Sequence, residues 1–226
     1  MKKPLLALKR LQKPLQLCLV VLLSLLLTAC QSPRHAMNQV PDNQSRASRQ
    51  DALQQLQHWQ VKGKFLFKGP QKKQSVSLNW TQDLKRSDIR LTTFMGISVL
   101  KMVSDQHSAT LKTDDQTVTS NDPQKLLNDN TGIALPVNSL ADWMKGALPV
   151  EQGLNALGQK NGQVVMWDEF NRIKQIRLVD KHFIPWQIDY LGYSAVESHQ
   201  LPQKIRLTGN DIKITITIND WELSSD

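Results

Sequence analysis

Near its end the chain carries "DIKITITI", in which Ile212, Ile214, Ile216 and Ile218 occupy every second position with polar residues between them. Successive side chains of a strand point to opposite faces, so this spacing gives one apolar face and one wet face. The same period recurs along the chain. Val61, Gly63, Phe65 and Phe67 alternate with Lys62, Lys64 and Lys68; Val76, Leu78 and Trp80 follow, then Ile89 and Leu91, then Ile97 and Val99. The runs "QIRLV" and "KIRLT" repeat it, as do Trp186, Ile188 and Tyr190 in "WQIDY". Half-buried antiparallel strands produce this alternation. So many runs predict a mainly β fold with some α, built on one large curved sheet or a barrel.

Three segments break the period. In "NDPQKLLNDNTG" Asp122 suits a helix cap, Pro123 the first helical position and Gly132 the end. In "NSLADWMKGALP" Asn138 or Ser139 suits a cap and Gly146 a stop. Leu126, Leu127, Leu140, Trp143 and Met144 give both helices apolar faces, and the concave face of a curved sheet is an apolar surface they can cover. The expected picture is a sheet with a helical plug. In "SRQDALQQLQHW", Leu53, Leu56 and Trp59 stand at helical spacing, which predicts a helix opening the domain.

The amino terminus is of another kind. "MKKPLLALKRLQKPLQ" carries five cations and no acid, and the apolar run Leu17 to Leu27 follows it. That run is shorter than the roughly twenty residues that span a bilayer, so residues 1–29 read as a signal peptide. Leu27-Thr28-Ala29-Cys30 is either an ordinary cleavage site beside a cysteine or, as it resembles, a bacterial lipobox. The resemblance implies that Cys30 becomes the new amino terminus, carrying S-diacylglycerol and an N-acyl chain. Gln31 and Ser32 are not the aspartate that, by the same analogy, retains such proteins in the inner membrane. Residues 30–50 then read as the lipidated cysteine and a flexible polar tether, and residues 51–226 as one domain. With Cys18 in the signal, a single cysteine remains and no internal disulfide can form.

The net charge of +8 shrinks with the signal, because 23 Lys and Arg then face 20 acids, a balance of +3. This is too mild for a nucleic-acid partner. Metal and catalytic patterns are also missing from the sequence. The histidines at 35, 58, 107, 182 and 199 lack ligand spacing. "GLNALGQK" lacks the Gly-Lys-Ser/Thr of a phosphate loop and reads as a loop between strands. No Gly-x-Ser-x-Gly elbow occurs, and Asp168 and Glu169, read as neighbours on a strand, would point to opposite faces. The expectation is a protein that is not an enzyme and uses no metal or cofactor apart from the lipid on Cys30. The six tryptophans, at 59, 80, 143, 167, 186 and 221, suit either a filled core or an apolar cavity, and sequence does not separate the two.

One hairpin is unusual. "RLTTFMGISVLKM" reads as two short strands joined around Gly96, yet Phe94, Met95 and Ile97 crowd a tip that would normally be polar. They either fold back on the core or project from it.

Taken in order, "WQVKGKFLF", "SVSLNW", "TTFMGISVLKM", "LPVNSLADWMKGALP", "WQIDYLGY" and "LPQKIRLTGNDIKITITINDW" resemble segments of the LolB family of outer-membrane lipoprotein receptors in Gram-negative bacteria. Phe94-Met95-Gly96 replaces the family's usual Pro-Leu-Gly, and residues 152–170 match more loosely. The resemblance implies an incomplete antiparallel barrel, similar to the periplasmic carrier LolA, that covers an apolar cavity with helices as its lid. It implies a monomer on the periplasmic side of the outer membrane that accepts triacylated lipoprotein cargo from a LolA-like carrier and inserts it into outer-membrane lipid. The helices 123–131 and 139–145 would belong to the lid. Phe65, Phe67, Trp80, Leu91, Trp143, Met144, Trp186 and Ile188 are the candidates for the acyl cavity. Phe94, Met95, Gly96 and Ile97 would form a membrane-insertion loop, with Met95 at the position where the family projects an apolar residue. Two other readings are a lipid-anchored assembly module whose sheet binds a protein partner, and a lipid hydrolase.

Overall fold

A computed structural model of the chain describes residues 44–133, 137–149, 159–160, 163–178 and 186–224. Cys30 and the "GLNALG" part of the glycine-rich loop lie outside the described residues. The strands are β1 (His58–Lys68), β2 (Lys73–Asp83), β3 (Arg86–Thr92), β4 (Ser98–Ser104), β5 (Ala109–Lys112), β6 (Thr117–Ser120), β7 (Gln159–Lys160), β8 (Gln163–Trp167), β9 (Ile173–Leu178), β10 (Gln187–Val196), β11 (His199–Gly209) and β12 (Ile212–Leu223). They form one sheet in the order β6-β5-β4-β3-β2-β1-β12-β11-β10-β9-β8-β7. Every pairing is antiparallel, and β6 and β7 are separate edges, so the sheet does not close. The first and last long strands meet in its middle. Their seam needs Gly63, which sits at a bulge where a Cβ would come within 2.2 Å of the Thr217 carbonyl oxygen.

The three helices are α1 (Arg46–Gln55), α2 (Pro123–Thr131) and α3 (Val137–Lys145). In α2 the Asp122 side chain accepts from the Lys125 N–H at 2.9 Å, Pro123 opens the helix, and Gly132 ends it at φ 71°. That satisfies orphan donors at one end and gives the left-handed cap at the other. Gly146 likewise follows α3 at φ 74°.

Some expectations shift. The opening helix begins at Arg46, inside the stretch read as tether, and ends at Gln55; Leu56 is its cap and Trp59 belongs to β1. Spacing of three residues drew Trp59 to the helix, but a tryptophan cluster holds it on the sheet: its ring lies 5.3 Å from that of Trp80 and 5.5 Å from that of Trp221. Asn138 and Ser139 lie within α3 and do not cap it. Ile97 precedes β4 and does not share a strand face with Val99. Asp168 and Glu169 sit in the turn after β8, where Asp168 accepts from the Phe170 and Arg172 N–H groups and pairs with the Arg172 guanidinium at 2.8 Å. This makes Asp168 a turn organiser.

Candidate functional site: an apolar cavity under two helices

The inner faces of β1 to β4 and β10 to β12 enclose a cavity of about 410 Å³ with α2 and α3 over it. β1 supplies Phe65 and Phe67; β2 supplies Val76, Leu78 and Trp80; β3 supplies Ile89 and Leu91. From the other half of the sheet come Ile188, Ile205, Leu207, Ile214 and Ile216. Leu127, Leu140, Trp143 and Met144 approach from the helices, and Ile133 from the segment just after α2. The polar lining residues are Lys72, Gln74, Asn130 and Thr131. Two of these are engaged already: Asn130 donates to the Leu126 carbonyl and Thr131 to that of Leu127, both at 2.7 Å.

Seven of the eight candidates therefore come together on this cavity: Phe65, Phe67, Trp80, Leu91, Trp143, Met144 and Ile188. Trp186 does not. It is buried beside β9, where its carbonyl accepts from the Leu178 N–H at 2.8 Å. Of the six tryptophans only Trp80 and Trp143 reach the lining; Trp59 and Trp221 fill the sheet end behind Trp80. Both Val99 and Leu100 reach it, although alternation allows one of two neighbours, because the β3–β4 register slips between Leu91 and Thr92. The isoleucine ladder of β12 was the clearest sequence signal for this wall, and Ile214 and Ile216 were missed as lining residues only because alternation marks a face and not a void.

The covering helices are held unequally. The carboxyl end of α3 is clasped by α1: the Gln50 side chain donates to the Gly146 carbonyl at 3.2 Å and accepts from the Leu148 N–H at 2.8 Å, and Gln54 donates to the Leu148 carbonyl at 2.6 Å. Lys145, 5% exposed, donates to the Leu56 carbonyl at 3.1 Å and stands 3.4 Å from Asp142. Burial is the main influence on this pair, holding the Lys145 ammonium below its ordinary pKa and lifting that of Asp142. From the sheet, the Tyr190 hydroxyl donates to the Trp143 carbonyl at 2.8 Å, and burial raises the phenol pKa well above its usual range. α2, in comparison, rests on the short edge strands β5 and β6 and on α3.

The tip of the hairpin between β3 and β4, Thr93 to Ile97, contributes no residue to the cavity lining. Thr93 accepts from the Gly96 N–H at 3.0 Å and donates to the Ile97 carbonyl at 2.8 Å, while its hydroxyl accepts from the Ile97 N–H at 3.2 Å. Gly96 takes φ 81°, which a side chain would strain. With its backbone bonds closed internally, the tip presents Phe94, Met95 and Ile97 at 92%, 68% and 57% exposure. They do not fold back on the core. Among the described residues no cluster of metal-ligating side chains occurs, and no helix is long and apolar enough to cross a membrane.

The family model for outer membrane lipoprotein LolB matches residues 57–221. Relatives named outer-membrane lipoprotein LolB include one from Pseudoalteromonas translucida, 32% identical over 74% of this chain and 76% of its own length, and one from Vibrio campbellii, 30% identical over 91% and 96%. Among solved structures, a LolA superfamily protein from Nitrosomonas europaea has a TM-score of 0.53 at 9% identity, covering 81% of this chain and 95% of its own. A DUF1329 family protein from Desulfovibrio piger has a TM-score of 0.55 at 8% identity, covering 79% and 90%. These two likenesses show the fold alone: an unclosed antiparallel sheet with covering helices. With the sequence matched across nearly the whole described sheet, the chain belongs to the outer membrane lipoprotein LolB family.

Proposed function

We propose that the protein accepts triacylated lipoproteins from a LolA-like periplasmic carrier, shelters their acyl chains in the cavity under α2 and α3, and inserts them into the inner leaflet of the outer membrane. Membership of the family makes it an outer-membrane protein of lipoprotein localisation and not an enzyme. The observation that carries the finer reading is the cavity, walled almost entirely by aliphatic and aromatic side chains and roofed by helices.

Burying an acyl chain is worth about 0.8 kcal/mol per methylene, so three chains cannot cross water unprotected and need an apolar host. A cavity of about 410 Å³ under two helices is small beside three long acyl chains, so loading all three would require the roof to move. α3 is tied at its carboxyl end to α1 and at Trp143 to Tyr190, so the opening falls to α2 and the amino end of α3. The sequence carries no Gly-Lys-Ser/Thr phosphate loop, and transfer runs down an affinity gradient, about 1.4 kcal/mol for each tenfold advantage over the carrier. Lipidated Cys30 would keep the domain at the membrane. Met95, an unbranched thioether, suits entry into disordered lipid.

The test separates uptake from delivery. A fluorescent fatty-acyl probe should bind with fixed stoichiometry and no turnover. Met95→Glu should bind it unchanged and take cargo from the carrier, yet fail to release cargo into liposomes. Loss of uptake by a folded Met95→Glu protein would contradict the role given to the tip.

A further inference from the structure

Beside the apolar tip the sheet holds a charge pattern that works against its own stability. Lys68 of β1 lies directly opposite Lys73 of β2 on one side and Lys213 of β12 on the other. Like charges directly opposed across a ladder are destabilising. All three are exposed, and none has a carboxylate partner among the described residues. They alternate with Phe67, Gln74 and Ile214 of the cavity lining, so they stand on the outer face of the same strands.

Their position along the sheet matters as much as their charge. β2 pairs with β3 only from the Ser77–Thr92 pair onward, and Lys73 lies four residues beyond it toward the β1–β2 turn. The β3–β4 hairpin turns over that same stretch, through Thr93 to Ile97. Lysine row and apolar tip thus occupy neighbouring strands at one end of the sheet, with Lys72 in the turn between β1 and β2. Among the described residues, the turns at this end carry their acids at the flanks: Asp211 in the β11–β12 turn, and Asp114 with Asp115 in the β5–β6 turn beyond the tip.

We infer that Lys68, Lys73 and Lys213 form a binding surface for anionic phospholipid headgroups, which docks the sheet end on the bilayer and sets the angle at which the tip enters. The inference rests on the membrane role proposed for the tip and adds a partner chemistry to it. Apolar side chains enter hydrocarbon while adjacent ammonium groups stay at the phosphate level, the arrangement that favours interfacial binding. With Asp114 and Asp115 on the far side, the domain lies with its β1–β2 hairpin toward the lipid and its β5–β6 edge away.

The test uses the full chain reconstituted in vesicles, with Met95→Cys carrying an environment-sensitive fluorophore and a sample lacking that substitution as the control for label elsewhere. In phosphatidylethanolamine vesicles containing some phosphatidylglycerol, the label should move into an apolar environment, and added salt should reverse it. The combined K68Q, K73Q and K213Q variant should lower the inserted-to-free ratio on the order of a hundredfold at low salt, at about fivefold per basic residue near an anionic surface. Acyl-probe binding should be unchanged, since the lysines lie off the cavity. Equal insertion by parent and variant, or equal insertion without phosphatidylglycerol, would overturn the inference while leaving the cavity reading intact. Normal insertion with lost uptake from the carrier would overturn it in favour of a docking face for an acidic protein. A label that stays in water in every vesicle would overturn it together with the delivery step.

Discussion

β1, β2 and β12 run through two different interiors. At the α1 end they carry Trp59, Val61, Trp80, Trp221 and Ile218, all buried, with the Trp59 ring packed against those of Trp80 and Trp221. At the hairpin end the same strands carry Phe65 and Phe67, half-buried because they face the cavity. One end is a filled core and the other a void with an apolar tip beside it. Stability and binding are thereby assigned to different stretches of the same strands, and a substitution should affect one or the other according to where along the strand it falls.

The largest expected effect is at the filled end. Trp59→Ala should lower unfolding free energy by about 4 kcal/mol, read by chemical denaturation, because it removes a buried ring packed on Trp80 and Trp221 and leaves a cavity between them. Asp142→Asn, at the α1 clasp, should cost about 3 kcal/mol by leaving buried Lys145 without its carboxylate. The pH dependence identifies the cause. With the Lys145 pKa held below 10.5 in the folded protein, the unfolded chain binds more protons in the window between the two values, so stability should rise as pH climbs through it. The variant should show this recovery more steeply than the parent.

Gly63→Ala should cost about 2 kcal/mol, since the added Cβ meets the Thr217 carbonyl and the β1–β12 seam must shift. Phe67→Ala should change stability by less than about 1 kcal/mol, as its ring is already part exposed, yet weaken acyl-probe binding measurably. If Phe67→Ala proved as destabilising as Trp59→Ala, the void would be a filled core and the contrast between the two ends would fail.

How far the sequence could carry this follows from what alternation encodes. Period two identified the strands and their inward faces, because facing water or core is a property of each residue. It did not give depth. Trp186 and Ile188 stand two residues apart, as neighbours on one strand face would, yet Trp186 is buried beside β9 outside the lining while Ile188 lines the cavity. Trp59 illustrates a second ambiguity, since it ends a helical spacing with Leu53 and Leu56 and begins a strand spacing with Val61. Ring packing with Trp80 and Trp221, distant in sequence, decides between them. The exposed tip was visible as a composition anomaly, but only the internal hydrogen bonds of Thr93 show why it can stand free of the core.

The central claim is that the cavity receives lipoprotein acyl chains. The most direct measurement mixes the protein with a triacylated lipoprotein held by purified LolA-type carrier and asks, by pull-down, which partner holds the lipoprotein afterwards. The account predicts that it moves to this protein without any added energy source, and that a fluorescent acyl probe bound in the cavity is displaced as it arrives. A folded protein that leaves the lipoprotein on an active carrier would contradict the account and make the sheet a scaffold for protein partners instead.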